Sequence, residues 1–292
     1  MNKLQLNILN MKIEPSNNLP SLVLNGKQLQ IKQSQIKQSR FAPKILTLIA
    51  CHTNSIAKVN IIKNNIKYFQ AFPNNDIVII NSFDSKHHKD VKEYLETTVP
   101  SVQYYGTLNA PTLDCGKWMF YLQNHYKANI YKYVLFTNDS FLIRGKGIEH
   151  YYTSILQQNV DLFGYNDSTQ IRYHYQSYLF TLKHTVIRRF IMYYNRIKHK
   201  LKGYESVVNN VELRLTDIFR SKNCFLKIGY LSSNRGHNIF FNNDQLYLPL
   251  YNNNQLPFIK LKRIIQDKEK NDSAMKRKIT NEQQNNIFAL NR

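Results

Sequence analysis

The sequence predicts an α/β fold: a mostly parallel central sheet with helices on both faces. Short apolar segments alternate with segments in which apolar residues recur at helical spacing. The first apolar segment is Ile45–Cys51, and a helical pattern follows it over residues 56–69. Strands that are apolar throughout are typical of parallel sheets buried on both faces. These observations together favour the nucleotide-binding style of α/β fold.

The remaining elements follow in the same alternation. Further strands are predicted at 76–80, 102–105 and 133–136, and further helices at 90–98 and 114–126. The second half is less regular and is expected to form the other side of a cleft. There the predicted strands are 161–164, 174–182 and 225–230, and the predicted helices are 186–200 and 209–221.

Composition excludes several classes of protein. The 292 residues are 42 % apolar, which is enough for a folded core, and three separated cysteines give no zinc or disulfide pattern. No apolar segment approaches the roughly 20 residues of a membrane span, so we expect a cytoplasmic protein. The net charge of +21 favours anionic partners, including the surface of an acidic membrane. Compositional bias toward Lys, Asn, Ile and Tyr is an alternative explanation of this charge.

Polar side chains follow three of the predicted strands, at the point where each strand ends. They are His52 and Thr53 after the first strand, Asp84 after the second, and Asn138, Asp139 and Ser140 after the fourth. Because open α/β sheets bind ligands at the carboxyl ends of their strands, we expect these residues to converge on a ligand. Asp139 is the candidate ligand for Mn²⁺ or Mg²⁺, which prefer oxygen donors. The alternative for Asn138–Ser140 is an ordinary polar turn.

The missing motifs narrow the choice of ligand. The chain has no Gly-x-Gly-x-x-Gly and no glycine-rich phosphate loop, which disfavours dinucleotide enzymes and phosphate-loop NTPases and leaves sugar nucleotides as the best fit. Asp114 and Lys117 open a predicted helix and are further donor-binding candidates. A capping aspartate and a surface lysine are the alternative.

A polar, aromatic segment at 163–178 is the second unusual feature. Strand alternation predicts that His174, Gln176 and Tyr178 share one face, and that the residues between them share the other. Such a wall suits a sugar ring. A half-exposed strand rich in β-formers is the alternative.

Residues 44–263 resemble the rhamnan synthesis F type glycosyltransferases of bacterial polysaccharide clusters and some large viruses. The resemblance rests on Phe136–Ser140, on the segment 164–178 and on the late Leu-Pro-Phe-Ile-Lys that ends at Lys260. It implies a GT-A type fold, a nucleoside-diphosphate sugar donor and a glycan or glycolipid acceptor, with rhamnose suggested by the family name. GT-A enzymes commonly carry Asp-x-Asp, but here Asp139 stands alone, so lysines or arginines are the alternative to a metal.

Roles follow for the remaining residues. Asp167 is the preferred base for the acceptor hydroxyl and Glu212 the second candidate, although an acidic residue early in a helix is often only a dipole partner. His174 is expected to contact the leaving diphosphate or the acceptor, unless it is a packed histidine. Lys260 is a candidate phosphate contact or else a surface lysine. The acceptor-binding candidates are Tyr173, Gln176 and Tyr178.

Three parts are expected along the chain. Residues 1–42 are a polar low-complexity extension, and 264–292 are a charged flexible tail. The domain between them, 43–263, consists of a nucleotide-binding half, 43–145, and an acceptor half, 146–263.

Two other functions remain open at this point. Charge and twenty tyrosines also suit a nucleic-acid-binding protein, although the basic residues are spread along the chain. An inactive glycosyltransferase-like scaffold is the other alternative, because Asp-x-Asp is missing.

Overall fold

A computed structural model describes residues 43–144, 147–169, 171–220 and 258–261, together with the backbone of strands at 23–24, 27–28 and 226–228. The chain divides into two units, Met1–Ala42 and Pro43–Arg292. The first unit contains an antiparallel pair, β1 (Val23–Leu24) and β2 (Lys27–Gln28). The rest of the predicted extension and the predicted tail at 264–292 lie outside the described residues.

Eleven further strands are described in the second unit. In chain order they are β3 (Ile45–Cys51), β4 (Asn75–Ser82), β5 (Gln103–Thr107), β6 (Tyr133–Asn138), β7 (Phe141–Ile143), β8 (Leu162–Gly164), β9 (Asp167–Ser168), β10 (His174–Tyr175), β11 (Leu179–Lys183), β12 (Leu226–Ile228) and β13 (Phe258–Lys260). Seven of them form one sheet in the order β12-β8-β11-β6-β3-β4-β5. All are parallel except β11, which runs antiparallel to both of its neighbours.

Helices cover both faces of this sheet. They are α1 (Ile56–Gln70), α2 (His88–Thr98), α3 (Leu113–Asn124), α4 (Gly147–Gln158), α5 (His184–Ile197), α6 (Tyr204–Val207) and α7 (Leu215–Phe219). A 3₁₀ turn at Lys198–Lys200 follows α5, and a π-helical turn at Val208–Glu212 follows α6. Among the described residues, no helix is long and apolar enough to cross a bilayer.

The core consists of two layers, because side chains alternate across each strand. In β3, Leu46 and Leu48 pack in the layer that includes α3, α5 and α7, whereas Ile45 and Ile49 pack in the layer that includes α1, α2 and α4. The rings of Phe136 and Phe180 stack in the first layer, with centroids 4.8 Å apart. The predicted α/β class, with a mostly parallel sheet covered on both faces, is confirmed.

Two predicted elements of the second half are wrong in detail. The single strand at 174–182 is two strands, β10 and β11, separated by a turn over 176–178. The Tyr175 backbone amide donates to Thr216 Oγ1 (3.1 Å) and the Gln176 backbone amide to the Asn166 carbonyl (3.0 Å). These two amides therefore do not pair with a strand of the main sheet. The helix predicted at 209–221 is a π-helical turn followed by the short α7.

The single antiparallel strand determines where the second half meets the first. Leu179, the first residue of β11, pairs with Thr137 near the end of β6. The turn that precedes β11 therefore lies at the edge where the parallel strands end. β8 also ends at that edge, because Gly164 pairs with Phe180. The topology thus brings the segment 165–178 to the ends of β3, β4 and β6.

Candidate active site

Asp139 is a buried carboxylate at the centre of a partly buried charged cluster at this edge of the sheet. Its carboxylate is 6 % exposed, accepts a hydrogen bond from the His52 amide (2.8 Å), and lies 3.0 and 3.1 Å from the Lys58 ammonium. Lys58 also donates to the His52 carbonyl (2.9 Å). Lys58 stands in the first turn of α1, which Ser55 caps. The end of β3 and the start of α1 thus hold the carboxylate from two sides.

A second chain of hydrogen bonds starts from the neighbouring Asn138. Its amide donates to Asp114 Oδ2 (2.8 Å), and its Oδ1 accepts from the Ser140 hydroxyl (2.6 Å). The Lys260 ammonium donates in turn to Ser140 Oγ (3.0 Å). Asp114 and Lys260, which are far apart in sequence, are therefore linked through the strand end at 138–140.

Lys260 reaches the cluster because β13 pairs with β7. Lys260 stands opposite Phe141, and its ammonium lies 3.6 Å from the centre of the Tyr178 ring. Loss of hydration lowers the pKa of Lys260 to about 7, although the carboxylates of Glu212, Asp114 and Asp139 act in the opposite direction. This lysine therefore changes its charge near neutral pH.

The other ionisable groups of the cluster are also perturbed. Burial raises the pKa of Asp114, as does the charge of Asp139, while Lys117 and the hydrogen bond from Asn138 oppose the rise. Burial lowers the pKa of His52, and the charges of Lys117 and Lys58 lower it further. Perturbed groups of both signs in one place are typical of functional sites.

The polar segment 163–178 supplies the other wall. His174 is buried, its Nε2 lies 3.0 Å from the side-chain Nε2 of Gln176, and its Nδ1 lies 2.8 Å from the Arg172 carbonyl oxygen. His174 and Gln176 thus contact each other, but the strand alternation that predicted one shared face with Tyr178 ends at the turn over 176–178. Tyr178 is buried between Phe141 and Phe258 and donates its hydroxyl proton to Asn166.

The two predicted bases lie in different surroundings. Glu212 accepts from the Ser177 hydroxyl (2.8 Å), lies 3.8 Å from His174 Nε2, and keeps 26 % of its side chain exposed. The charge of Glu212 raises the pKa of Lys260 and that of Tyr178. Asp167 stands on β9, opposite Tyr175, and its charge acts on Tyr173 and Tyr175 instead. Of the two predicted bases, Glu212 is therefore the one whose charge acts on Lys260.

The four remaining predicted residues are Thr53, Asp84, Tyr173 and Lys117. The Thr53 hydroxyl is fully buried and engaged with Asn81 and Ser85 (2.9 and 3.0 Å). Asp84 is exposed after β4, and Tyr173 is 37 % exposed. Lys117 is buried, with its ammonium 3.4 Å from Asn109 Oδ1.

The arrangement suits a polyanion better than a bare divalent ion. Both oxygens of Asp139 contact Lys58, so a cation there requires that this lysine moves away. The described residues contain no group of three His, Cys, Asp or Glu side chains placed to hold a metal. Lys58 and Lys260 contact the strand end, the charge of Lys117 acts on the neighbouring Asp114, and lysine is a point charge for phosphate oxygens.

Sequence reasoning missed two residues of the site. Lys58 belongs to no motif, although a lysine in the first helical turn after a strand lies where anions bind. Asn166 was overlooked beside Asp167, yet its side chain is fully buried and bonded to Tyr178.

No protein family and no curated protein matches the sequence. Three solved structures are similar to the chain, and two of them are a mannosyltransferase and a galactosyltransferase. A mannosyltransferase from Pyrobaculum calidifontis, in complex with GDP-Man and Mn²⁺, is 12 % identical with a TM-score of 0.45 over 68 % of this chain and 59 % of its own. TarS 1–349 from S. aureus is 10 % identical with a TM-score of 0.43, over 66 % and 59 %. The galactosyltransferase LgtC, in complex with donor and acceptor sugar analogs, is 12 % identical with a TM-score of 0.38, over 58 % and 70 %.

The chain thus spans about three fifths of the first two of these proteins. With identities of 12 % or less and TM-scores of 0.45 or less, these similarities assign neither an activity nor a substrate to the chain. The resemblance to the rhamnan synthesis F family stays a prediction.

Proposed function

We propose that the protein is a glycosyltransferase of GT-A type that transfers a sugar from a nucleoside-diphosphate sugar to a glycan hydroxyl. The observation that carries this proposal is the partly buried cluster of Asp114, Asp139, Lys58, Lys117 and Lys260 where parallel strands end. Open α/β sheets bind nucleotides at this edge. A partly buried group of lysines beside two carboxylates is suited to a diphosphate with a ribose or sugar attached.

The lysines take the role that a metal has in other enzymes. Lys58, Lys117 and Lys260 neutralise the diphosphate, and Lys260 stabilises the charge that develops on the leaving group. Asp114 accepts a hydrogen bond from a hydroxyl group of the nucleotide sugar. His52 Nδ1, a buried atom without a hydrogen-bond partner among the described residues, gains one from the ligand.

The test of this function is a thermal-shift panel of UDP-, GDP- and dTDP-sugars with Mn²⁺, with Mg²⁺ and with a chelator. We expect selective stabilisation by one nucleotide class that persists in the chelator, because bound ligand stabilises the folded state by mass action. A shift that requires Mn²⁺ or Mg²⁺ would instead assign the cation to Asp139. No shift with any nucleotide, together with slow or absent donor hydrolysis, would favour the inactive scaffold.

The pKa of Lys260 predicts how donor binding changes with pH. The ammonium is protonated below its pKa of about 7 and neutral above it, and only the protonated form attracts the diphosphate. Donor affinity therefore falls as pH rises above about 7, by up to about tenfold per pH unit, and binding takes up a proton there. Calorimetric titration in buffers of different ionisation enthalpy measures both effects.

The variant Lys260→Met provides the control for this pH dependence. It binds donor more weakly at about pH 6, and its affinity no longer changes between about pH 7 and about pH 9. A Lys260→Met protein with the wild-type pH profile would assign the titration to another group.

The acceptor approaches from the side of the segment 165–178. Glu212 removes the proton of the acceptor hydroxyl, because it is the partly exposed carboxylate coupled to Lys260, and Asp167 is the second candidate. Of the acceptor-wall candidates, Tyr173 is exposed and contacts the acceptor, whereas Gln176 and Tyr178 are buried and position His174 and Lys260. His174 orients Glu212. Rhamnose as the transferred sugar, a cytoplasmic location and a peripheral membrane contact stay predictions.

A further inference from the structure

A groove lies between α5 and α7 and contains none of the residues of the candidate active site. Its volume is about 800 Å³. The residues that give it its chemical character are Arg188, Arg189, Met192, Arg196, Arg214 and Asp217. A cavity of this volume is large enough for several sugar units or another ligand of similar size.

The groove has a strong positive charge. Four arginines line it, and its carboxylate, Asp217, is already paired with Arg172 and lies 3.5 Å from Arg214. Side chains of one sign on adjoining elements repel each other, which an anionic ligand would relieve. Arginine, with its planar fork of donors, binds carboxylate and phosphate groups in a bidentate way.

The groove also offers apolar surface between these charges. Met192 is 62 % exposed, and the half-buried ring of Tyr193 lies beneath Arg196, whose guanidinium is 5.7 Å from the ring centre. An apolar floor with charged groups along it matches a charged sugar, which has an apolar ring face and an anionic substituent.

Helix α7 connects the groove to the acceptor side of the candidate active site. Asp217 faces the groove and pairs with Arg172, whose carbonyl lies 2.8 Å from His174 Nδ1. The neighbouring Thr216 accepts from the Tyr175 amide (3.1 Å). A glycan bound in the groove would therefore lie beside the segment that carries His174 and Gln176.

We propose that this groove binds a stretch of the acceptor glycan that carries carboxylate or phosphate groups, outside the site of transfer. That the ligand is the acceptor rests on the proposed function. That the ligand carries anionic groups rests on the groove alone. It assigns the acceptor to the acidic glycans, a property that no motif of the sequence encodes.

The experiment measures binding of the full chain to a fluorescent oligogalacturonate and to a neutral dextran oligomer of equal length. The test variant is Arg188→Gln/Arg196→Gln. The matched control is Lys67→Gln/Lys89→Gln, which removes the same charge from exposed positions on α1 and α2. We expect the acidic oligomer to bind and the neutral one not to bind. The arginine variant should weaken binding by about tenfold or more, and the lysine variant by about twofold or less.

Three results would overturn the inference. Equal losses in the two variants would indicate non-specific attraction by the net charge. Tighter binding to single-stranded oligonucleotides, with the same dependence on the arginines, would assign the groove to nucleic acid. Tighter binding to vesicles of phosphatidylglycerol would assign it to the membrane surface.

The donor panel on the same variants keeps the two proposals apart. We expect Arg188→Gln/Arg196→Gln to retain the stabilisation by nucleotide sugar. Glycan binding that depends on the arginines, in a protein that no nucleotide sugar stabilises, would refute the glycosyltransferase and leave an acidic-glycan site. Donor stabilisation without glycan binding would refute the groove and leave the enzyme.

Discussion

Replacing Glu212 by Gln is expected to lower the turnover of donor by about 100-fold or more, because a positioned general base contributes that much to proton transfer. The amide oxygen of Gln still accepts from the Ser177 hydroxyl, so the local structure is retained. The measurement is hydrolysis of the nucleotide sugar that stabilises the protein, with water in place of the acceptor. Because the charge of Glu212 raises the pKa of Lys260, donor binding is compared well below neutral pH, where Lys260 stays protonated in both proteins and binding should not change.

Asp167→Asn is the matched control, since it removes the other predicted base by the same isosteric change. We expect this variant to keep turnover within about threefold of the wild type, an effect below the range of a general base. The reverse pattern, with Asp167→Asn slow and Glu212→Gln near normal, would transfer the role to Asp167. Loss of donor stabilisation in Glu212→Gln would show that Glu212 binds the donor instead.

Replacing Asp139 by Asn is expected to destabilise the fold by about 2–4 kcal/mol, because it leaves the Lys58 ammonium without its partner. The pair is largely buried, at 6 % and 25 % exposure, which is why the loss exceeds that of a surface pair. Lys58→Met should cost a similar amount. The double variant should recover at least about 1 kcal/mol of the summed losses. Urea unfolding of the four proteins measures this coupling.

The pair between Lys44 and Asp76 serves as the control, since its side chains are 41 % and 30 % exposed. Lys44→Met should cost about 1 kcal/mol or less. A Lys58→Met protein no less stable than Lys44→Met would mean that the pair is not coupled. Asp139 would then be available to a cation, which would revive the metal-dependent mechanism.

The part of the site that could be predicted from sequence follows from one regularity. The ends of parallel strands meet at one edge, so His52 and Asn138 are predicted at the same edge once β3 and β6 are predicted as strands. The register agrees, because Ala50 pairs with Asn138. Asp114 was predictable for the same reason: α3 runs from the carboxyl edge back to the start of β6, and Asp114 lies in the first turn of α3.

The part that could not be predicted depends on contacts without a local pattern. The bond between Lys260 and Ser140 joins residues 120 positions apart. Helix α4 was missed, although Ile148, Tyr151 and Ile155 are buried at helical spacing, because its tyrosines and threonine also favour strands. The break after β10 was missed because its cause, Thr216, lies on another element.

The pairing of β13 with β7 has a consequence for how the protein is made. Lys260 meets Tyr178, and the Leu261 amide donates to the Ser140 carbonyl (2.8 Å), only when residues 258–261 have paired with β7, which is synthesised much earlier. Until then, a nascent chain lacks one of the three lysines of the proposed donor site. Competence to bind donor is acquired as a late step of folding, and truncation before Phe258 should leave a chain that retains the sheet's first strands but binds no nucleotide sugar.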